Sequence, residues 1–181
     1  VILSRPFDPR SIGGLALWLD ASDAPSAGQW ADKSGNARNA IQLATNNQPA
    51  LTSSAMAGRP ALYFDGINDT LSLATIPLTA WHAFAACAPT NSGAVLYVAA
   101  GTTQSFTLYS AGSSGVLTAS GSATTSSALY GIDSRIGAAW SDGALKSFYK
   151  GYIGEILVYS AALTTGQAAA VTRYLSRKWG V

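Results

Sequence analysis

Glycines and small polar residues punctuate this 181-residue chain, dividing it about every eight to twelve positions into short runs of β-branched, aromatic and leucine side chains. Runs that short do not make amphipathic helices, and their spacing is that of an antiparallel two-sheet sandwich. The strand candidates are residues 15–19, 61–64, 70–73, 83–88, 94–99, 105–109, 116–119, 135–138 and 152–159. Two stretches, 15–19 and 153–159, alternate yet are too apolar for either face to be wet, so they belong deep in a sheet. Residues 110–127 are mostly Ser, Thr, Gly and Ala. They can pair through backbone but bring little packing, which predicts a sheet edge or loops.

One segment breaks the β pattern. Ala168, Val171, Leu175 and Trp179, joined by Tyr174, recur at three- and four-residue spacing and predict an amphipathic helix over about 165–179. Thr164 and Gln167 have capping-box spacing, Gly180 suits a left-handed cap, and Arg177 and Lys178 fall in the last turn, where the helix dipole favours cations. Residues 1–14, with Pro6, Pro9 and Gly13-Gly14, read as an extended N-terminal arm that needs either its own sandwich or a neighbouring chain to lie on. Residues 15–181 are then a single domain, since a chain of this length closes one sizeable core.

Charged residues make up 11% of the chain, against roughly 25% in an average soluble domain, so solubility rests on hydroxyl groups. The 11 Lys and Arg against 9 Asp and Glu are scattered. A nucleic-acid binder gathers its cations on a patch, so nucleic acid is not an expected partner. The lone Cys87, inside the apolar run 83–88, has no disulfide partner and reads as a small buried hydrophobe. No stretch approaches the roughly 18 apolar residues of a membrane helix, and residues 1–6 lack the charged-then-apolar layout of a signal peptide. The chain as given is therefore read as soluble, without membrane insertion.

Sugar hydrolysis needs two suitably spaced carboxyl groups. Glu155 is the single Glu, inside an apolar strand with no acidic residue within nine positions. Asp20 with Asp23 and Asp65 with Asp69 sit beside turn formers, where Asp bonds its own backbone. His82 is the only histidine, and no nucleophile elbow, phosphate-binding loop, zinc motif or EF-hand loop occurs. The expectation is a protein that is not an enzyme, with no catalytic residues.

Binding is the remaining chemistry. Flat rings stack on sugar faces while carboxylates and amides fix the hydroxyls. Trp18 and Trp179 fall at apolar-face positions and read as core, whereas Trp30, Trp81, Trp140 and Tyr130 lie nearer polar sequence and are the candidate stacking surfaces, with Asp32 and Asn36 as hydroxyl-fixing partners. Partial burial as lids on the core is the competing reading for these rings. Calcium is the one cofactor these residues allow, with Asp32, Asn36, Asp65 and Asp69 as oxygen ligands. Turn formation explains the same residues by composition alone.

Three early blocks, Gly14-Leu-Ala-Leu-Trp-Leu-Asp-Ala-Ser-Asp23, Trp30-Ala-Asp-Lys-Ser-Gly-Asn-Ala-Arg-Asn-Ala40 and Gly58-Arg-Pro-Ala-Leu-Tyr-Phe-Asp-Gly66, resemble the opening of laminin-G-like domains of the concanavalin A-like lectin/glucanase superfamily. Residues 151–164 and 174–180 resemble that family's last strand and terminal helix, in the form common in bacteriophage virion and bacterial surface proteins. The resemblance implies an all-β, two-sheet antiparallel jelly-roll sandwich with one C-terminal α-helix, sometimes holding a loop calcium, used for glycan binding or assembly. The clustered acids of the superfamily's glucanases have no counterpart here. Relatives also carry a hairpin with a Trp near its start and an Asp-Gly turn, which is missing between Ala119 and Arg135.

A thinned sheet edge and a projecting arm favour assembly. The expectation is therefore a non-enzymatic virion structural or decoration protein of a bacteriophage capsid or tail. Its partners would be other virion proteins or copies of itself, with glycans as a further ligand. The alternative is a carbohydrate-binding module of a secreted or cell-surface protein.

Overall fold

Each run expected to be a strand contains one. The computed structural model describes residues 6–99, 105–122 and 134–181. Its strands are β1 (Leu15–Asp20), β2 (Gln29–Trp30), β3 (Ala40–Ile41), β4 (Ala50–Met56), β5 (Arg59–Asp65), β6 (Leu71–Leu73), β7 (Ala80–Pro89), β8 (Ser92–Ala99), β9 (Ser105–Ala111), β10 (Gly115–Ser122), β11 (Ser134–Ile136), β12 (Ala139–Ser141), β13 (Ala144–Lys146) and β14 (Lys150–Tyr159), followed by one helix, α1 (Thr165–Trp179). Tyr130 lies outside the described residues.

The strands form two antiparallel sheets. The first runs β10-β7-β14-β5-β4, with β1 also on β14; the second runs β2-β3-β6-β11-β8-β9. In the first sheet β14 is central: β7 takes one edge, while the other is shared by β5 along residues 150–153 and β1 along residues 155–159. This is the all-β, two-sheet jelly-roll sandwich with a C-terminal helix that the sequence predicts. Within the small-residue segment, residues 115–122 form β10, which among the described residues is an edge strand paired with β7.

Residues 83–87 and 153–159 are buried on both faces because two different layers cover them. Leu17, Leu19, Leu62, Phe64, Ala83, Ala85 and Ile156 belong to the main core, with Val95, Leu96, Val98 and Ile136 of the second sheet. α1 covers the outer face of the first sheet through Val171, Leu175 and Trp179, all buried, each contributing roughly 1.5–3 kcal/mol by leaving water. Its ends are built as the sequence predicts. Thr164 and Gln167 make a reciprocal capping box, and Gly180 adopts φ 68°, donating its N–H to Ser176.

Of the expected arm, residues 6–14 are described and lie on the chain's own body. Asp8 caps a short turn at Pro9–Ser11, Pro9 and Ile12 are buried, and the Tyr159 hydroxyl donates to the Pro9 carbonyl at 3.2 Å. Phe7 meets Tyr174 of the helix with ring centroids 5.2 Å apart.

The stretch between Ala119 and Arg135, where the sequence lacks the relatives' hairpin, lies largely outside the described residues. After it, β12 and β13 pair from Ala139–Lys146 to Ser141–Ala144, with Trp140 in the first strand and Asp142-Gly143 at the turn. Both turn residues have positive φ, 49° and 76°, as in the type I′ turns that match the twist of paired strands.

Gly154 marks where the helix meets the sheet. The β14–β7 register shifts between Ile153 and Glu155, and a Cβ on Gly154 would fall 2.5 Å from the Trp179 ring. Gly154→Ala should therefore push α1 off the sheet and lower stability by about 1–3 kcal/mol, read as a reduced urea midpoint with near-normal far-ultraviolet circular dichroism below it.

Candidate functional site

The strand pairing that buries β14 also brings together two acids that are 135 positions apart in sequence, Asp20 and Glu155, directly opposite each other on β1 and β14. Glu155, read as an acid without an acidic neighbour, therefore has one across the strand. Its Oε1 accepts from Trp18 Nε1 at 2.7 Å and the Tyr174 hydroxyl at 2.8 Å; its Oε2 accepts from Lys178 Nζ and Trp179 Nε1, each at 2.8 Å. Asp20 accepts from Lys178 and Lys33 at 2.7 and 2.8 Å on Oδ2, and from the Ser22 hydroxyl and N–H on Oδ1.

This is a closed knot rather than a reactive acid couple. Glu155 is wholly buried beneath α1, and all four oxygens of the pair already accept from protein donors. The two carboxyls titrate in opposite directions. Burial pushes Glu155 upward, reinforced by the Asp20 charge and opposed by Lys178, for a net rise. Burial also pushes Asp20 upward, but Lys178 and Lys33 outweigh it and hold the group below the usual range.

The sequence-predicted residues are spread over different environments. Asp32 is the organiser of the loop after β2: its carboxylate accepts from the N–H groups of Trp18, Ser34 and Arg38 and from the Ser34 hydroxyl. Asn36 is exposed and donates its side-chain amide to the Leu15 and Ala16 carbonyls, stapling the loop to β1. Asp65 accepts from the backbone N–H groups of Ile67, Asn68 and Asp69, and Asp69 accepts from that of Asp65. These carboxylates face amide hydrogens, which carry the same sign of charge as a cation and take its place, and form turns. No three acidic, His or Cys side chains stand together as a metal site among the described residues.

The aromatic candidates separate as well. Trp81 is half-buried and stacked on Phe106 across the two sheets, with centroids 3.7 Å apart and planes at 7°. One ring face is thus occupied. Trp140 is half-buried against Ala94, Tyr97, Ala99 and Ala139. Trp30 is not exposed at all: 1% of it is accessible. Its ring belongs to the main hydrophobic core. Cys87 is buried and free, with burial pushing its thiol up to about 11.

Trp30 nevertheless borders the most suggestive cavity. Asp20 ends β1 and caps a short turn at Ala21–Asp23, and Ala24 then reverses the chain with φ 53°. A bridge between Leu19 and Asp32 and a bond from the Lys33 N–H to the Trp18 carbonyl pin the returning chain beside β1. The result is a hollow of about 290 Å³ lined by Asp20, Asp23, Ser26, Gln29 and Trp30. The Trp30 indole N–H is itself buried, without a hydrogen-bond acceptor. Gln29 is exposed, and Asp23 pairs one oxygen with Lys33 at 2.7 Å.

A hollow of about 440 Å³ lies under residues 6–11, but its carboxylate, Asp8, is engaged by the Arg10 backbone and side chain. Sequence reasoning named Trp30 but missed Gln29, Asp23's place beside it, and the acid knot. The lone Glu inside an apolar strand was the available signal, because a buried charge demands donors from elsewhere.

The knot gives a signed pH dependence. Asp20 contributes stability that is complete above its ordinary 3.8 and is lost as pH falls below that value through its folded-state titration. Glu155, raised, works the other way: its contribution is full below its ordinary 4.5 and fades as pH rises through the folded value. Thermal unfolding of Asp20→Asn should be less stable than the parent at neutral pH and lose the acid-induced decline below pH 3.8. Lys178→Met, which leaves the buried Glu155 without a cation while Asp20 keeps Lys33, should cost about 3–5 kcal/mol at neutral pH.

No protein-family model matches the sequence, and no curated protein matches it either. Solved structures do share its fold. Domain 4 of AbnA, a GH43 extracellular arabinanase from Geobacillus stearothermophilus, in complex with arabinotriose, superposes with a TM-score of 0.55 at 13% identity over 87% of this chain and 98% of that one. Trypanosoma rangeli sialidase in complex with sialic acid superposes at 0.50 and 14% identity over 98% of this chain but 36% of the sialidase. At such identities the likeness is one of fold: these chains share a β-sandwich.

Proposed function

We propose that this domain is a carbohydrate-binding module of a secreted or cell-surface protein, and that it holds its glycan in the cavity beside Trp30. The observation that carries this is a cavity of about 290 Å³, walled by Trp30, whose exposed rim offers the Asp23 carboxylate and the Gln29 amide. Sugar hydroxyls both donate and accept, so one saccharide edge complements such a rim: Asp23 accepts and Gln29 does both. Both structural neighbours were solved with saccharides, arabinotriose in one and sialic acid in the other. The laminin-G-like resemblance of the sequence supports the same reading.

The acid knot supports binding over turnover at this pair, since both carboxylates already accept from protein donors and Glu155 is buried under α1. Assembly on a virion takes second place. It drew on an arm free to reach a neighbour, whereas residues 6–14 lie on the chain's own body.

Isothermal titration with arabinotriose and a panel of neutral oligosaccharides should show saturable binding. Asp23→Ala and Gln29→Ala, both at exposed positions, should each weaken it about tenfold, the size of one lost hydrogen bond to a charged or amide group, with the unfolding midpoint little changed. A panel with no saturable ligand, or binding untouched by both substitutions, refutes the assignment.

A further inference from the structure

We propose that the Trp30 cavity selects uncharged saccharides and turns away acidic ones such as uronic and sialic acids. This rests on the glycan-binding reading and adds the ligand's charge class to it. The wall's own charge points this way: the ionisable side chains lining the cavity are Asp20 and Asp23, and neither is a cation. A neutral saccharide brings no further negative charge to those carboxylates.

The neighbouring cations are already committed. Lys33 Nζ lies 2.8 Å from Asp20 Oδ2 and 2.7 Å from Asp23 Oδ2, and sits 4.6 Å from the Trp18 ring centroid. Lys178 Nζ spans Asp20 and Glu155 at 2.7 and 2.8 Å and contacts the Tyr174 hydroxyl at 3.2 Å. Recognition of a carboxylate uses a free guanidinium or ammonium in matched geometry. Here a ligand carboxylate would compete with Asp20 and Asp23 for Lys33, leaving an acid in the wall unpaired. A hydroxyl makes no such demand, because Asp23, 60% exposed at its side chain and with one oxygen toward Lys33, can still accept from it.

Matched pairs test this: galactotriose against trigalacturonate, and lactose against sialyllactose, titrated calorimetrically at low and high salt. The neutral member should bind at least about tenfold tighter, the scale of one like-charge contact in a partly wet site. High salt should narrow that gap by screening. Asp23→Asn, which keeps the side chain's size and removes its charge, should narrow it too, chiefly by raising affinity for the acidic member. Equal binding of both members, or a gap that Asp23→Asn leaves unaltered, overturns the charge selection while neutral binding keeps the site assignment. Binding of neither member to the parent overturns both.

Discussion

A carboxylate sealed from water is tolerable only where each of its lone pairs meets a donor, and the burial of Glu155 imposes that condition on three elements at once. Its partners come from β1 (Trp18) and from α1 (Tyr174, Lys178 and Trp179). None of these contacts exists unless β1 lies beside β14 and the helix lies across both. The charge therefore acts as a register mark on an otherwise apolar surface. Apolar packing of Val171 and Leu175 would hold a helix there in several positions, while four donors converging on two oxygens accept one.

The same closure keeps the Glu155 carboxylate away from solvent, with both of its oxygens held by protein donors. Asp20 links the knot to the cavity beside Trp30. Through Lys178 it is tied to Glu155, and through Lys33 to Asp23 at the rim. The interior network thus sets the charge of the wall that a ligand would meet, although its own centre stays dry.

Much of the fold was legible because it depends on local regularities. Strand runs bounded by glycine, and a helix with apolar positions three and four apart between a Thr-x-x-Gln cap and a Gly stop, need no long-range information to be read. β2, β3 and the hairpin β12–β13 escaped because two or three residues carry no period, and pairing partners rather than composition made them strands. The site was legible only in part. Trp30 was singled out for the polar sequence around it, yet its ring is part of the main core, a placement that sheet packing decides. Asp32 and Asp65 have the residue type of metal ligands but spend their oxygens on backbone N–H groups of their own loops, a choice that geometry makes and residue type does not.

The sequence by itself determined the class of fold, the capped helix at its end, the burial of Cys87 and the turns at the aspartates, since each follows from propensity, periodicity or a cap within a few residues. Only the tertiary structure decided which charges would share one environment. Asp20, Lys33, Glu155 and Lys178 are brought together by sheet pairing and helix docking, and electrostatic interaction falls off with distance in space, whatever the separation along the chain.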